Sequence, residues 1–390
     1  MTAPAPPSGP LAGIKVVEFA GIGPGPLCGM LLADMGAQVL LLERKEPANV
    51  GIPRARKFDL SHRGKASLAL DLKRAPDVAL ARSLVNVADV VIEGFRPGTM
   101  ERLGLGPQQF AAANPGLIYG RLTGFGQSGP LAEVAGHDLN YIALTGGLNA
   151  IGRHGQPPTP PLNLLGDYAG GSMLLAQGIL AALVERGRSG KGQTIDAAMV
   201  DGASLLLTPY YGLVAAGLWS SARGDNILDS GAPFYDIYTC ADGRQIAFAA
   251  IEHKFRKQFA AISGFPETLL LAGDDKANWP ALRKALTALF LQRDRDEWCR
   301  LLESEDTCIS PVLTAGEAAG HAHMRERQTF IELGGVTQPA PAPRFSRSAC
   351  ARPRMPPGAG EGGRELALRW GLPAEVIDSA VVSGPEAAAR

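Results

Sequence analysis

The chain is short of aromatic residues, of cysteine and of any excess of one charge. Aromatics make up 6% of its 390 residues, and 38 Lys and Arg are balanced by 38 Asp and Glu. With no net field to draw polyanions, neither nucleic acid nor an anionic membrane surface is expected as a partner. The five cysteines (Cys28, Cys240, Cys299, Cys308 and Cys350) are scattered, odd in number and without CxxC spacing. That argues against a disulfide framework and against a zinc site, so no metal is expected and a reducing, cytoplasmic setting is. The opening MTAPAPPSGP has neither a basic segment nor an apolar one, and reads as a flexible leader rather than a signal peptide. The most apolar helical stretch, Met173 to Val184, falls short of the roughly 20 residues that span a bilayer, so no membrane span is expected. The final EAAAR is no peroxisomal address.

What the chain has in abundance is glycine (48) and proline (30), which beside so few aromatics suits a loop-rich α/β enzyme better than a helical bundle. Residues 13–44 read as a strand (Ile14 to Phe19), a glycine turn (Gly21 to Pro26), a helix (Leu27 to Met35) and a strand (Val39 to Leu42). A helix over Asp77 to Asn86 precedes a strand at Ala88 to Ile92, and a helix around Pro107 to Ala113 precedes one at Leu117 to Leu122. Such alternation implies a parallel sheet with helices on its faces. Leu148 to Pro161 reads as loop, Gly171 to Arg186 as a long helix, Thr194 to Asp196 as a strand, and Val200 to Leu218 as an apolar segment broken at Pro209.

After Trp219 the texture changes. Tyr235 to Cys240 and Gln245 to Ile251 flank Asp242-Gly243, a hairpin signal, and helices follow at 254–262, 279–292 and 294–303. The expected organisation is a large domain over 1–224, a smaller α+β domain over 225–320, and a segment 321–390 returning to the large domain. Within that last segment, 335–363 is a strap rich in Pro, Gly and Arg, followed by short helices at 364–369 and 373–380.

Gly21-x-Gly23-x-Gly25, with Glu43 about 20 residues on, imitates a dinucleotide fingerprint. Its third small position comes one residue early, and Pro24 and Pro26 remove two donors, so the reading is a tight turn that packs a helix on the sheet. Arg44, beside Glu43, falls where ligands meet such sheets, at the carboxyl end of a strand, and suits a phosphate or adenine.

Three stretches set a proton-handling side chain among small residues: AGHDLNY (His137), NLLGDYAGG (Asp167) and AAIEHKF (Glu252). Groups that take and return protons suit a carbon acid, and two of them on opposite faces of one carbon invert it. Asp167 precedes the small-residue run that opens the long helix, so it reads as an N-cap, with the amides of Gly166 to Ser172 facing a developing oxyanion. Its carboxyl is expected to be partly desolvated and raised in pKa. Asn163, four residues earlier, is expected to orient it. His62, His154, His321 and His323 fit no such pattern and are expected to be solvated.

The stretches VVEFAGIGPGP, LLADMGAQVLLLER, ASLALDLK, ADVVIEGFRPGTMERLGLGP, LIYGRLTGFGQSGP, AGHDLNYIALTGGL, PPLNLLGDYAGGSM, GKGQTIDAAMVDG, GAPFYDIY and AIEHKF run from about residue 11 to 350. By them the chain resembles the family III CoA-transferase superfamily (CaiB/BaiF type), and within it the 2-methylacyl-CoA racemases. The resemblance implies a Rossmann-like large domain, a small domain, and an interlocked homodimer with sites between the large domain of one chain and the small domain of the other. It implies that His137 and Asp167 are the catalytic pair and that Glu252 orients the histidine. Arg44, the segment Ala69, Leu70, Asp71 and Leu72, and the segment Ala135, Gly136, Asp138, Leu139 and Asn140 are implied to hold CoA. Arg96, in GFRPG, meets a CoA phosphate or caps a helix. His253 stands where relatives are expected to carry proline.

The implied activity is epimerisation of 2-methyl-branched acyl-CoA thioesters by 1,1-proton transfer through an enolate, with no cofactor beyond the substrate's own CoA. The alternative within the superfamily is CoA transfer, with Asp167 attacking the thioester and then carrying CoA. His137, where transferases usually carry an aromatic residue, and the lack of a GGGGQ-type loop favour the racemase. A third reading, a non-catalytic acyl-CoA-binding protein, leaves the His, Asp and Glu set unused.

Overall fold

The structure, a computed structural model, describes residues 8–46 and 51–381. Its contacts divide into two units, one of residues 1–145, 162–206 and 327–390, the other of 146–161 and 207–326.

In the first unit, β1 (Lys15–Phe19), β2 (Gln38–Glu43), β3 (Ala66–Ala69), β4 (Val90–Glu93), β5 (Ile118–Thr123) and β6 (Thr194–Ala198) form one parallel sheet in the order β3-β2-β1-β4-β5-β6. This is the doubly wound, Rossmann-like order, reversing between β1 and β4. β1, β2 and β4 are buried on both faces, which is why they read as apolar runs without alternation. Val17, Leu40, Leu68 and Val91 pack with α2 (Ala75–Asn86) and with the helices Gly363–Arg369 and Ala374–Val381, through Leu80, Leu84, Leu366 and Ile377. Val16, Val39, Val90 and Ile118 pack on the opposite face with α1 (Pro24–Asp34) and α4 (Leu174–Ser189), through Leu32, Leu175 and Ile179. α3 (Asp138–Leu144) follows β5 and its loop.

The expected strap covers an open edge. Ser67 of β3 forms a parallel bridge with Gly362, and its amide donates to the Glu361 carbonyl at 2.8 Å, so the edge strand presents no free ladder there.

The second unit is α+β. β7 (Tyr235–Thr239), β8 (Gln245–Ala249) and β9 (Ile309–Pro311) form an antiparallel sheet in that order. It packs on the helices His253–Ser263, Trp279–Phe290 and Arg295–Leu302 through a core rich in the chain's scarce aromatics. Phe248 and Phe259 lie 4.4 Å apart and Tyr238 stacks on Phe290 at 5.0 Å, centroid to centroid.

Several details differ from expectation. The units do not part at 224/225 or at 320/321: residues 146–161 and 207–224 group with the second unit, which extends to 326. β3 was not expected, because ASLA is short and half alanine, a poor strand former. The helix around Pro107 to Ala113 is a single 3₁₀ turn, Pro107–Gln109. Within the strap's approach, Phe330–Leu333 and Val336–Pro339 pair antiparallel around Gly334-Gly335. α1 begins at Pro24 rather than Leu27, because proline at the first helical position gives up an amide with no intrahelical partner. His62 is not solvated but 6% exposed, and burial with Lys65 nearby pushes its imidazole down to about 3. The expected leader lies outside the described residues up to residue 7.

The long helix also starts earlier than expected. A π-helical run, Leu164–Met173, passes directly into α4, giving 26 helical residues that are apolar and long enough to cross a membrane by length and composition alone. Here Leu175, Ala176, Ile179 and Ala182 are buried on the first unit's own sheet face, the pattern of a core helix.

Candidate active site

The carboxyl ends of the parallel strands gather most of the expected site residues of the first unit at one edge of the sheet, where doubly wound folds bind ligands. Arg44 is exposed just past β2, Ala69 to Leu72 run off the end of β3, and Arg96 is exposed past β4. Leu70 is 2% exposed and belongs to the core, so its side chain is not available to a ligand. Leu72 instead lines an open cavity of about 580 Å³ with Val78, Leu103 and three cations, Lys73, Arg82 and Arg102. Sequence reasoning missed these cations, since three basic residues spread over separate elements carry no local signal.

Past β1 comes the glycine turn. Gly23 has φ of +69°, and a Cβ on it would stand 3.3 Å from Asp167 Oδ2. The turn that looked like a mere packing device thus lies against the carboxylate of Asp167, and only glycine meets both the backbone angle and the approach.

Asp167 lies inside the π-helical run, not at its N-cap. Such wide turns are rare and gather at functional sites. Its side chain is half-buried and accepts from Asn163 Nδ2 at 3.1 Å, the orienting contact expected of Asn163. Burial raises its pKa above the usual aspartate range and the charge of Asp138 adds to this, while the Asn163 donor and His137 pull the other way. His137 is exposed and begins α3, with its amide donating to Asn140 Oδ1 at 3.0 Å. The structure therefore brings His137, Asp167 and Asn163 into electrostatic reach of one another within one unit.

Asp138 has a different part from the one implied. It is 5% exposed, and its Oδ1 accepts from the amides of Gly166 at 2.8 Å and Asp167 at 2.7 Å. Its carboxylate therefore pins the π-helical run to α3 rather than facing a ligand, and it occupies two of the amides expected to meet an oxyanion. Tyr141 was not singled out from the sequence. Its hydroxyl donates to the Gly136 carbonyl, shaping the loop ahead of His137, and burial with the charges of Asp167 and Asp138 pushes it up to about 12. Ala135, Leu139 and Asn140 are exposed around it.

Glu252 lies on the second unit as the residue that opens the helix His253–Ser263, extended and exposed. His253 meets Asp274 at 2.5 Å, and Arg256 donates to the other oxygen of that carboxylate at 2.7 Å. These contacts hold the helix start without a proline. Among the described residues no group of three or more His, Cys, Asp or Glu is placed to hold a metal ion. His321 pairs with Glu303 at 2.8 Å.

One consequence is independent of any reaction. Asn163 donates to the charged form of Asp167, so Asn163→Ala raises the pKa of that carboxyl further. Carboxyl-carbon NMR titration of Asp167 reads the shift; a downward move would refute the contact.

Comparison with known proteins points the same way. The model of CoA-transferase family III matches residues 11–362. Alpha-methylacyl-CoA racemase of Mus musculus is 44% identical over 369 residues, covering 94% of this chain and 95% of that protein. Alpha-methylacyl-CoA racemase of Homo sapiens is 43% identical over 372 residues, with 94% and 95% coverage. A crystal structure of a CaiB/BaiF family protein from Brucella suis superposes with a TM-score of 0.79 at 28% identity, covering 93% of this chain and all of that one.

Proposed function

This chain belongs to CoA-transferase family III, and we propose that within it the protein epimerises 2-methyl-branched acyl-CoA thioesters by moving the C2 proton through an enolate. The observation that carries the proposal is the pairing of His137 with a half-buried Asp167 whose carboxyl is held above its ordinary pKa. A carbon acid needs a base on one face and a conjugate acid on the other, and each group must spend part of the cycle in its less common protonation state. Burial gives Asp167 access to its protonated form. A nucleophilic carboxylate, the alternative in this family, is served better by ionisation. The identity to two racemases supports the same choice.

In this reading His137 serves one face of C2 and Asp167 the other, Asn163 orients Asp167, and Glu252 fixes the histidine tautomer. Arg44, Arg96, Ala69, Asp71 and Leu72 hold CoA at the sheet edge, and Lys73, Arg82 and Arg102 draw its phosphates to the adjoining cavity. No cofactor is required beyond the substrate's CoA. A homodimer in the cytoplasm completes the reading; the five unpaired cysteines agree with a reducing compartment.

The test is proton NMR of a single-epimer 2-methylacyl-CoA with the protein in D2O. Deuterium at C2 together with the opposite epimer is the expected result. Unexchanged substrate whose CoA passes to an added carboxylate would replace the racemase with a transferase.

A further inference from the structure

The geometry points to Ser172 as a positioning residue that clasps the peptide of Asp167 to the first turn of α1 and so keeps Gly23 seated against the Asp167 carboxylate. This inference rests on the proposed proton transfer by Asp167.

Ser172 is fully buried, and its hydroxyl donates to the Pro24 carbonyl at 2.7 Å, with the Asp167 carbonyl at 3.2 Å as second acceptor. The wide turn makes this possible. On an ordinary α-helix, residues five apart are turned by about 140° from each other. In the π-helical run, where bonding is i to i+5, they stack on one side. Ser172 thus reaches both the backbone of Asp167 and the turn that follows β1.

That turn has few anchors of its own. Pro24 and Pro26 bring no amides, and Gly23 holds a left-handed conformation. The Pro24 carbonyl is tied by Ser172 and the Pro26 carbonyl by Lys65, at 2.9 Å. Gly23, directly before Pro24, lies against Asp167 Oδ2, where a Cβ on it would stand 3.3 Å away. Loss of the Ser172 hydroxyl removes the side-chain tie between the π-helical run and the first turn of α1, lets the turn lift, and admits water to a carboxyl that burial holds above its ordinary pKa.

The experiment compares Ser172→Ala, Ser172→Thr and Asp167→Ala with the unaltered enzyme, in epimerisation kinetics across pH and in thermal unfolding. Ser172→Ala is expected to lose about 10- to 100-fold in kcat, the scale of a small misplacement of a reacting group, with KM within about twofold. Its acid limb moves to lower pH as Asp167 regains water, and Ser172→Thr, which keeps the donor, recovers most of both effects. An unaltered pH profile in Ser172→Ala, or a loss of kcat matched by a collapse of Tm with the limb unmoved, would overturn the positioning role. An active Asp167→Ala would instead remove the reading on which it rests. Should the threonine methyl overpack the site, the alanine variant alone decides through its pH limb.

Discussion

His137→Ala and Asp167→Asn each lower epimerisation at least about 100-fold, and each retains proton exchange on the opposite epimer of the substrate. The first effect follows from the usual contribution of one positioned acid or base, about 10²–10⁴-fold. The second follows from geometry. With two groups serving two faces of C2, removal of one leaves the other able to take a proton from its own face and return it there. In D2O, His137→Ala therefore washes deuterium into the epimer whose C2 hydrogen faces Asp167, without inversion. Asp167→Asn does so only with the other epimer. KM is expected to change little, because neither group is assigned to the CoA moiety. Loss of exchange on the same epimer in both variants would sink the two-base assignment. So would a His137→Ala enzyme with full turnover. A transferase would give a third pattern, no exchange with either variant and loss of CoA transfer only with Asp167→Asn.

Much of this site was legible because its residues lie in short, contiguous segments. AGHDLNY and NLLGDYAGG each carry one reacting group and its immediate support in a single stretch, so Asn163 was found by its spacing from Asp167. The strand and helix alternation of residues 13–122 announced the sheet because parallel strands buried on both faces are apolar throughout.

What the sequence hid was produced by tertiary approach. Asp138 looked like a ligand-facing neighbour of His137, and only the fold shows its carboxylate spent on two amides from a segment far along the chain. Gly23 looked like a turn residue, and its nearness to Asp167 depends on how α1 and the π-helical run pack. The run itself was invisible, since the three glycines of Leu164–Met173 argue against helix before Gly171 and nothing local marks the wider turn. The Leu70 side chain turns inward for a similar reason: in a segment leaving a strand, alternate side chains return to the core. The Gly334-Gly335 hairpin was readable from its dipeptide, but it was absorbed into the proline-rich strap around it.

The largest effect on stability is expected at Lys65, a residue that belongs to no motif. Its ammonium and the carboxylate of Glu18 are both 0% exposed, with Nζ at 2.8 and 2.6 Å from the two oxygens. The third ammonium proton goes to the Pro26 carbonyl at 2.9 Å, so every donor is used. The pair sits under α1 so tightly that a Cβ on Gly29 would come within 1.8 Å of Glu18 Oε2. Burial pushes Glu18 up to about 7 and pulls Lys65 down, each against the opposing pull of its partner.

Lys65→Met leaves a buried carboxylate alone, at a cost of about 3–5 kcal/mol. Glu18→Gln together with Lys65→Met removes both charges and is expected to recover more than half of that loss. The single variant also gains a pH dependence of definite sign. Without Lys65, the folded-state pKa of Glu18 rises further above its unfolded value, so the folded state binds the extra proton. Stability relative to the unaltered protein is then best near pH 5 and is lost as pH rises through neutrality. Urea midpoints at pH 5 and pH 8 measure this directly. Equal losses at both pH values, or a double variant no better than Lys65→Met, would show that the site suffers from poor packing and not from an unpaired charge. The Pro26 tie is lost in both variants. Epimerase activity that stays low after stability has been restored would therefore separate the charge pair's role in folding from its hold on the turn beside Asp167.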